Sequence, residues 1–530
     1  MAKIYSLPFK PESFQRWREY YFGTNWPVVY VSENGKEVYI GQTVHLLSRC
    51  KQHYENVEKR KLSTMHVISD EEFNVSATLD IESWLIQYMS GDGRFILQNG
   101  NGGMKDHNYY DKERYKTKFE LAWEKLREME LATHTMAEIK NGDLFKYSPY
   151  KSLTEDQMSV AHSIVEDLEQ QKSHTYIVNG KPGTGKTILA IYLFKYLQEN
   201  EKTQHLNVGL VVPMMSLRKT VQKVFRHVKG LKSSMVIGPA DATRGGYDLL
   251  IVDEAHRLRR RKNITNYAAF DAINKQLNLP EDATELNWIL QSSRAHVLFY
   301  DQNQSIKPSD VRAEDFDAIH TDYFELSTQV RVKGGTEYID FIEHLFNRQV
   351  PTTRKFGEYE FRLYEDIRPF LNDIKQREIE HGLCRVVAGY AWPWNTKKGK
   401  DEQAQDYDIE IDGIKLVWNS TSHDWVNSPN AINEVGCIHT IQGYDLNYVG
   451  VIIGPELSYD SENKTFVVNK ELYFDTKGHA GIQDPAELKR YIINIYKTLL
   501  TRGIHGTYIY IVDDGLRNYF KKYLGIVADV

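Results

Sequence analysis

Two groups of residues have the types and spacing for phosphate chemistry. Residues 180 to 187 read Gly180-Lys181-Pro182-Gly183-Thr184-Gly185-Lys186-Thr187. That run fits the glycine-rich phosphate loop at every fixed position, with Gly180 opening it. Amides of Gly183, Thr184 and Gly185 are expected to cradle phosphate, Lys186 to reach the β- and γ-phosphates of ATP, and Thr187 to ligate Mg²⁺. Downstream, Asp253-Glu254 closes the apolar run Leu249-Leu250-Ile251-Val252. Asp253 is expected to hold Mg²⁺ and Glu254 to orient or deprotonate water; a plain helix-capping pair is the other reading. The second group lies nearer the start: Tyr30, the tripeptide Tyr39-Ile40-Gly41, Arg49, His53, Glu82 and Asn99.

The elements that must position these residues change character along the chain. Val28 to Val31 and Glu37 to Ile40 read as strands around Asn34-Gly35, a preferred hairpin turn. A helix is expected from about 43 to 55, with Leu46, Leu47 and Cys50 as its apolar face, and another from 80 to 90, ended by Gly91-Asp92-Gly93. Asn99 to Gly103 reads as loop. From 111 to about 135, Phe119, Trp123, Leu126 and Met129 make an amphipathic stripe. From 152 onward, helical stretches alternate with apolar runs at 175–178, 208–212, 249–252 and 296–300, then at 384–388, 448–453 and 508–512. Alternation of that kind marks parallel sheets covered by helices. Residues 395–409, rich in lysine and acid, read as a surface insertion.

Bulk properties narrow the setting. The chain has 530 residues and a net charge of −6, so any polyanion partner needs a local basic groove and not a basic average. No apolar run approaches the roughly 18 residues of a membrane span, and the start lacks a signal-peptide core. Three cysteines, Cys50, Cys384 and Cys437, read as buried thiols of a reducing compartment. We therefore expect a cytoplasmic protein with no membrane partner.

Further short motifs follow the phosphate loop in the order seen in superfamily 1 helicases. Gln157 resembles the adenine-reading glutamine before the loop. Asp301-Gln302-Asn303-Gln304 resembles the third motif, which implies that Gln304 senses the γ-phosphate. Gln329-Val330-Arg331 resembles the fourth, with Arg331 reaching the phosphates, although a lone arginine is more often a surface ion pair. His439-Thr440-Ile441-Gln442-Gly443 resembles the fifth, which touches the nucleic-acid backbone. Thr498 to Gly503 resembles the sixth, with Arg502 as arginine finger. The run Val387 to Trp394 is similar to the bacterial helicase-like family of the Schlafen group, and the resemblance covers about 152 to 515. It implies two RecA-like lobes with ATP between them.

Residues 28 to 103 resemble a GIY-YIG nuclease domain. The first tripeptide stands here as Val28-Val29-Tyr30, and the second is intact as Tyr39-Ile40-Gly41. The resemblance implies that Glu82 binds Mg²⁺ or Mn²⁺, that Tyr30, Tyr39 and His53 position or deprotonate water, and that Arg49 stabilises charge on the phosphate. It also makes Asn99 a site residue. Taken singly, Tyr30 and Tyr39 could be cross-strand core aromatics, Glu82 a surface carboxylate and His53 a solvated helix residue.

The fold expected is thus α/β: a small α+β GIY-YIG-like nuclease domain at 1–135, a linker at 136–150, and two RecA-like parallel-sheet lobes at 151–330 and 331–530. The function expected is an ATP-dependent helicase with a tethered endonuclease acting on DNA, or alternatively RNA, without sequence preference; such fusions suit antiviral defence. The alternatives are an ATP-switched sensor of nucleic acid or protein that licenses cutting without unwinding, and an inactive nuclease fold that grips DNA. Two features stay open. The run Arg257, Arg259, Arg260, Arg261, Lys262 reads as a nucleic-acid groove, a contact with the nuclease domain or a solvated loop. Trp392, Trp394, Trp418 and Trp425 read as a stacking surface or as buried packing.

Overall fold

Tyr30 and Gly41 are register partners across an antiparallel hairpin, and their pairing sets the geometry of the N-terminal module. The strands are β2 (Val28–Glu33) and β3 (Glu37–Thr43), joined through Asn34-Gly35, where Gly35 takes φ 80°. β1 (Lys3–Pro8) and β4 (Thr64–Ser69) extend the sheet antiparallel on the β2 side, and β5 (Ile96–Leu97) pairs parallel with β3. The order is β1-β4-β2-β3-β5. The computed structural model describes residues 2–101, 109–319, 321–349, 355–396, 406–421 and 424–524. Gly102 and Gly103 of the expected loop, and 397–405 of the expected insertion, lie outside the described residues.

Because side chains alternate along a strand, Tyr30, Ser32, Tyr39 and Gly41 share one face of the hairpin. Tyr30 leans over Gly41: a Cβ there would stand 2.2 Å from the Tyr30 hydroxyl. The face packs with Leu46 and Cys50 of the helix Leu46–Glu55 and with Leu62 and Met65. Leu47, expected in that apolar face, is half-buried at its edge. A second helix, Val75–Asp92, stops at Gly93, which takes the left-handed φ of 69°. The helix Lys112–Glu128 buries Phe119, Trp123 and Leu126, whereas Met129 is its C-cap and exposed.

The chain divides into two compact units. One comprises 1–171, 187–206 and 220–236; the other comprises 172–186, 207–219 and 237–530. Within the first, Asn101 Nδ2 donates to the carbonyls of Pro149 at 3.2 Å and Tyr192 at 3.0 Å. Tyr192 lies on the helix Lys186–Glu199, whose C-terminal part therefore packs with the N-terminal module.

The second unit is built on two sheets. One has β6 (Thr175–Gly180), β7 (Val208–Val211), β8 (Val236–Ile237), β9 (Tyr247–Val252), β10 (Ser293–Tyr300) and β11 (Asp322–Leu326), in the order β11-β6-β10-β9-β7-β8. β6 pairs parallel with both β10 and β11. Loops leaving the carboxyl ends of those three strands therefore converge, as at the ligand crevice of open parallel sheets.

The other sheet has β12 (Glu360–Tyr364), β13 (Cys384–Ala388), β14 (Ile409–Ile411), β15 (Ile414–Trp418), β16 (Glu434–Cys437) and β17 (Leu446–Ile453). A small ribbon, β18 (Leu457–Asp460) with β19 (Thr465–Val468), precedes its last strand, β20 (Gly503–Ile511). Its order is β12-β20-β17-β13-β16-β15-β14, parallel except for the β14/β15 hairpin. That hairpin turns on Asp412-Gly413, both at positive φ, 49° and 75°. The sequence reading placed Ile409 in an insertion; the structure makes it an edge strand.

Trp418 and Trp425 are core residues, and Trp392 and Trp394 pack beside Trp418, so burial accounts for this cluster. Three arginines of the basic run after β9 are paired internally. Arg257 pairs with Asp310 at 2.5 Å, Arg259 with Glu285 at 2.6 Å, and Arg261 with Asp271 at 2.6 Å. These partners come from segments distant in sequence, so a linear reading could not reveal them.

Gly41→Ala tests the hairpin geometry. The added methyl must displace Tyr30, and overpacking of this kind costs about 1–3 kcal/mol. We expect a lower urea midpoint for the N-terminal module, with the transition of the two parallel sheets unchanged.

Candidate active site

The phosphate loop joins β6 to the helix beginning at Lys186, because Gly183 and Gly185 take φ of 88° and 76°. Only glycine adopts such angles without strain. The loop is also tight: a Cβ at Gly180 would stand 2.5 Å from Thr184 Oγ1, and one at Gly183 would stand 2.1 Å from Gln329 Oε1. Thr184 Oγ1 donates back to the Lys181 carbonyl at 3.0 Å. Gln329 Nε2 donates to the Pro182 carbonyl at 2.8 Å, and Val330 N to the Gly183 carbonyl at 3.0 Å. The fourth motif thus closes over the loop through Gln329.

Lys186 lies buried at the centre. Its ammonium donates to the Gly180 and Lys181 carbonyls and stands 3.5 Å from Asp301 Oδ2. Asp301 accepts from Gln304 Nε2 at 2.7 Å, and Gln304 Oε1 accepts from Arg502 Nη2 at 3.0 Å. A continuous line therefore runs from the phosphate loop of one sheet to Arg502, just ahead of β20 in the other. All four residues are buried.

Glu254 follows Asp253 at the end of β9 and takes φ 53°, a left-handed value rare for glutamate. Its Oε2 lies 2.8 Å from His256 Nε2. Burial pushes the Glu254 carboxyl up, but His256, Lys186 and Arg502 outweigh it and hold the group well below the usual carboxylate range. It is ionised at neutral pH, as a water-orienting carboxylate must be.

Two expected residues are engaged otherwise. Arg331 Nε is paired with Asp445 at 2.6 Å. Two opposite charges that are mostly out of water hold each other until a competing anion displaces one. Gln157 sits in the first unit, where its Oε1 accepts from Thr154 N at 3.0 Å and caps the helix Glu155–Glu169. In the fifth motif, His439 is exposed and pairs with Asp475 at 2.9 Å, while Thr440 and Gln442 are buried.

The loop and its surroundings fit ATP with Mg²⁺: a glycine cradle, a buried ammonium, a threonine hydroxyl at Thr187, and carboxylates at Asp253 and Glu254.

The N-terminal module gathers its own cluster. Tyr30 Oη and His53 Nε2 are 2.6 Å apart, and Arg49 Nε donates to Tyr30 Oη at 3.3 Å. Burial, then the nearby Lys59 and Arg49 charges, push His53 down to about 3, so the ring is neutral. Burial also holds the Tyr30 phenol well above its usual range, so it keeps its proton. The phenol accepts from Arg49 and shares a hydrogen bond with His53 Nε2. Tyr39 meets the His53 ring edge-on at 4.9 Å.

Glu82 reaches this cluster from the helix Val75–Asp92. Burial pushes its carboxyl up to about 7, against the opposing pull of Arg49 and the Gln42 backbone. Among the described residues, no group of three or more His, Cys, Asp or Glu is placed to hold a metal. A single carboxylate still suits Mg²⁺ or Mn²⁺, which keep several waters and take further oxygens from a substrate phosphate. Asn99 is a brace: its Oδ1 accepts from Ile40 N at 3.0 Å and its Nδ2 donates to Ile40 O at 2.8 Å. Lys59 was not foreseen, and its ammonium lies 3.6 Å over the Tyr39 ring.

The fold and the loop define a P-loop nucleotide-dependent domain built on two parallel sheets. Residues 173–513 match the family described as Schlafen group 3, DNA/RNA helicase domain. The chain belongs to that family. An uncharacterized protein of Saccharomyces cerevisiae is 25% identical over 441 residues, covering 73% of this chain and 92% of that protein. A Pif1 helicase from Bacteroides, solved with ADP-AlF3 and ssDNA, is 13% identical with a TM-score of 0.33, covering 72% of this chain and 95% of that one. A Pif1 helicase from Candida albicans is 11% identical with a TM-score of 0.29, covering 70% and 99%.

A metal bound at Glu82 would compete with a proton for its carboxyl, so its affinity would rise with pH. Mn²⁺ binding that is lost in Glu82→Gln should strengthen about ten-fold per pH unit below 7 and level off above it, as read by electron paramagnetic resonance.

Proposed function

We propose that this protein is an ATP-driven helicase or translocase on DNA, with RNA as the alternative, and that its N-terminal module is a divalent-metal-dependent endonuclease of GIY-YIG type. The line Lys186–Asp301–Gln304–Arg502 is the observation that carries the motor reading. ATP with Mg²⁺ supplies the scissile anhydride and the neutralising charge. In this reading Lys186 contacts the phosphates, Thr187 and Asp253 hold the ion, and Glu254 takes the proton of the attacking water. Gln304 exchanges Asp301 for the γ-phosphate and thereby pulls on Arg502, which converts phosphate state into movement between the sheets. Arg331, released from Asp445, adds a second cation.

In the N-terminal module, a metal at Glu82 supplies Lewis acidity. Tyr30, Tyr39 and His53 position or deprotonate the attacking water, and Arg49 stabilises charge on the phosphate. Tethering keeps this module at high effective concentration along the bound strand.

A second reading, a clamp that senses nucleic acid without unwinding, is favoured by one observation. Asn263 Nδ2 donates to the carbonyls of Ala480 and Lys477 at 2.6 and 3.1 Å, and Lys477 Nζ donates to Thr265 Oγ1 at 2.7 Å. The loop after β9 is thus tied to the segment after β19.

Labelled duplexes with single-stranded tails separate the two. The motor reading expects ATP-dependent strand separation that Lys186→Ala abolishes, with cutting that Glu82→Ala abolishes. Nucleic-acid-stimulated ATP turnover without strand separation would establish the clamp instead. Undiminished cutting by Glu82→Ala would remove the nuclease assignment.

A further inference from the structure

Lys59 is a half-buried cation of the N-terminal module that lies over the Tyr39 ring with no acid paired to it among the described residues. Two nearby lysines are paired: Lys61 with Glu58 at 2.6 Å, and Lys229 with Glu58 at 3.4 Å and Glu37 at 3.6 Å. Among the described residues Lys59 forms no ion pair, although Glu58 adjoins it in sequence. The Tyr39 ring holds it instead, at 3.6 Å from the centroid. A ring face attracts an ammonium by about 0.5–2 kcal/mol and neutralises none of its charge.

Arg49 likewise forms no ion pair among the described residues, although the Glu82 charge attracts it from beyond ion-pair distance. Its donors go to the Tyr30 hydroxyl and to Gln52 Oε1, both uncharged. Two partly buried cations thus stand on the same Tyr30–Tyr39–His53 cluster, and their charges lower the affinity of His53 for a proton. A cation held partly from water with no directly paired acid carries a cost that an incoming anion reduces. Burial and the Arg49 charge push Lys59 down to about 8, which agrees with that geometry.

We propose that Lys59 and Arg49 form a two-cation seat for the phosphodiester that the N-terminal module cuts. Lys59 binds one non-bridging oxygen from above the Tyr39 ring, and Arg49 binds the other from the Tyr30 side. The inference rests on the nuclease reading, and it adds a substrate-contacting residue that the motif does not contain. It also gives Tyr39 a second task, which is to hold the ammonium in place while leaving its charge available.

The full-length chain tests it with Lys59→Met, which keeps an apolar stem against Tyr39, and Lys59→Arg. On labelled duplex DNA with Mn²⁺, Lys59→Met should cut about 100-fold more slowly, as loss of one charge-stabilising donor does. Lys59→Arg should retain most of the rate. A second readout needs no cutting. In Glu82→Ala, bis(4-nitrophenyl) phosphate should protect Lys59 from acetylation by acetic anhydride, measured by peptide mass spectrometry. Lys59→Met cutting at the wild-type rate, or equal acetylation with and without the diester, would overturn the inference. If wild type and Glu82→Ala cut alike while protection is seen, the nuclease reading falls and the anion seat stands.

Discussion

Everything in the second unit turns on a line of buried charge and amide, from Lys186 through Asp301 and Gln304 to Arg502. Ions out of water are costly unless each is met by a partner, and here the partners lie on two different sheets. Lys186 is fixed by the glycine loop, Asp301 by the end of β10, and Arg502 by the turn into β20. The line can be satisfied only while the sheets hold one relation. Anything that takes Lys186 or Gln304 away, as a γ-phosphate would in the proposed motor, changes what Arg502 can bind. In the proposed motor this line would give a mechanical coupling, built on the strand order that brings β6, β10 and β11 side by side.

The N-terminal module obeys a steric constraint before an electrostatic one. Gly41 has no side chain, so Tyr30 can lie across it and place its hydroxyl between His53 and Arg49. Asn99 then fixes Ile40 through both backbone groups, doing for β3 what a neighbouring strand would. Glu82 and Lys59 arrive from separate elements onto a surface already set by that hairpin. The two halves of the chain share a theme: glycines make room, and polar or charged groups occupy the space.

Much of this was legible in the sequence because strands and loops announce themselves locally. The apolar runs at 175–178, 249–252 and 296–300 are strands, and the Asn34-Gly35 hairpin forms, since alternation and turn chemistry are short-range properties. The residues of the phosphate loop line, Lys186, Gln304 and Arg502, were each singled out, though their junction through Asp301 was not. What could not be read depends on partners far along the chain. Arg331 pairs with Asp445, Arg257 with Asp310 and Arg259 with Glu285, and no spacing rule predicts such contacts. Gln157 shows a different limit, because its residue type serves a helix cap as well as a base edge. Lys59 carries no motif, and only its position over Tyr39 distinguishes it from its paired neighbours.

The central claim is that Gln304 and Arg502 act as one unit linking the phosphate loop to the second sheet. A double-mutant cycle on nucleic-acid-stimulated ATP turnover tests it directly, using Gln304→Ala, Arg502→Ala and the pair. Residues that act as a unit are strongly non-additive. We expect the double variant to turn over no more slowly than the worse single variant, a coupling of about 2–3 kcal/mol. Rate losses that simply multiply would show the two residues working independently and would contradict the account.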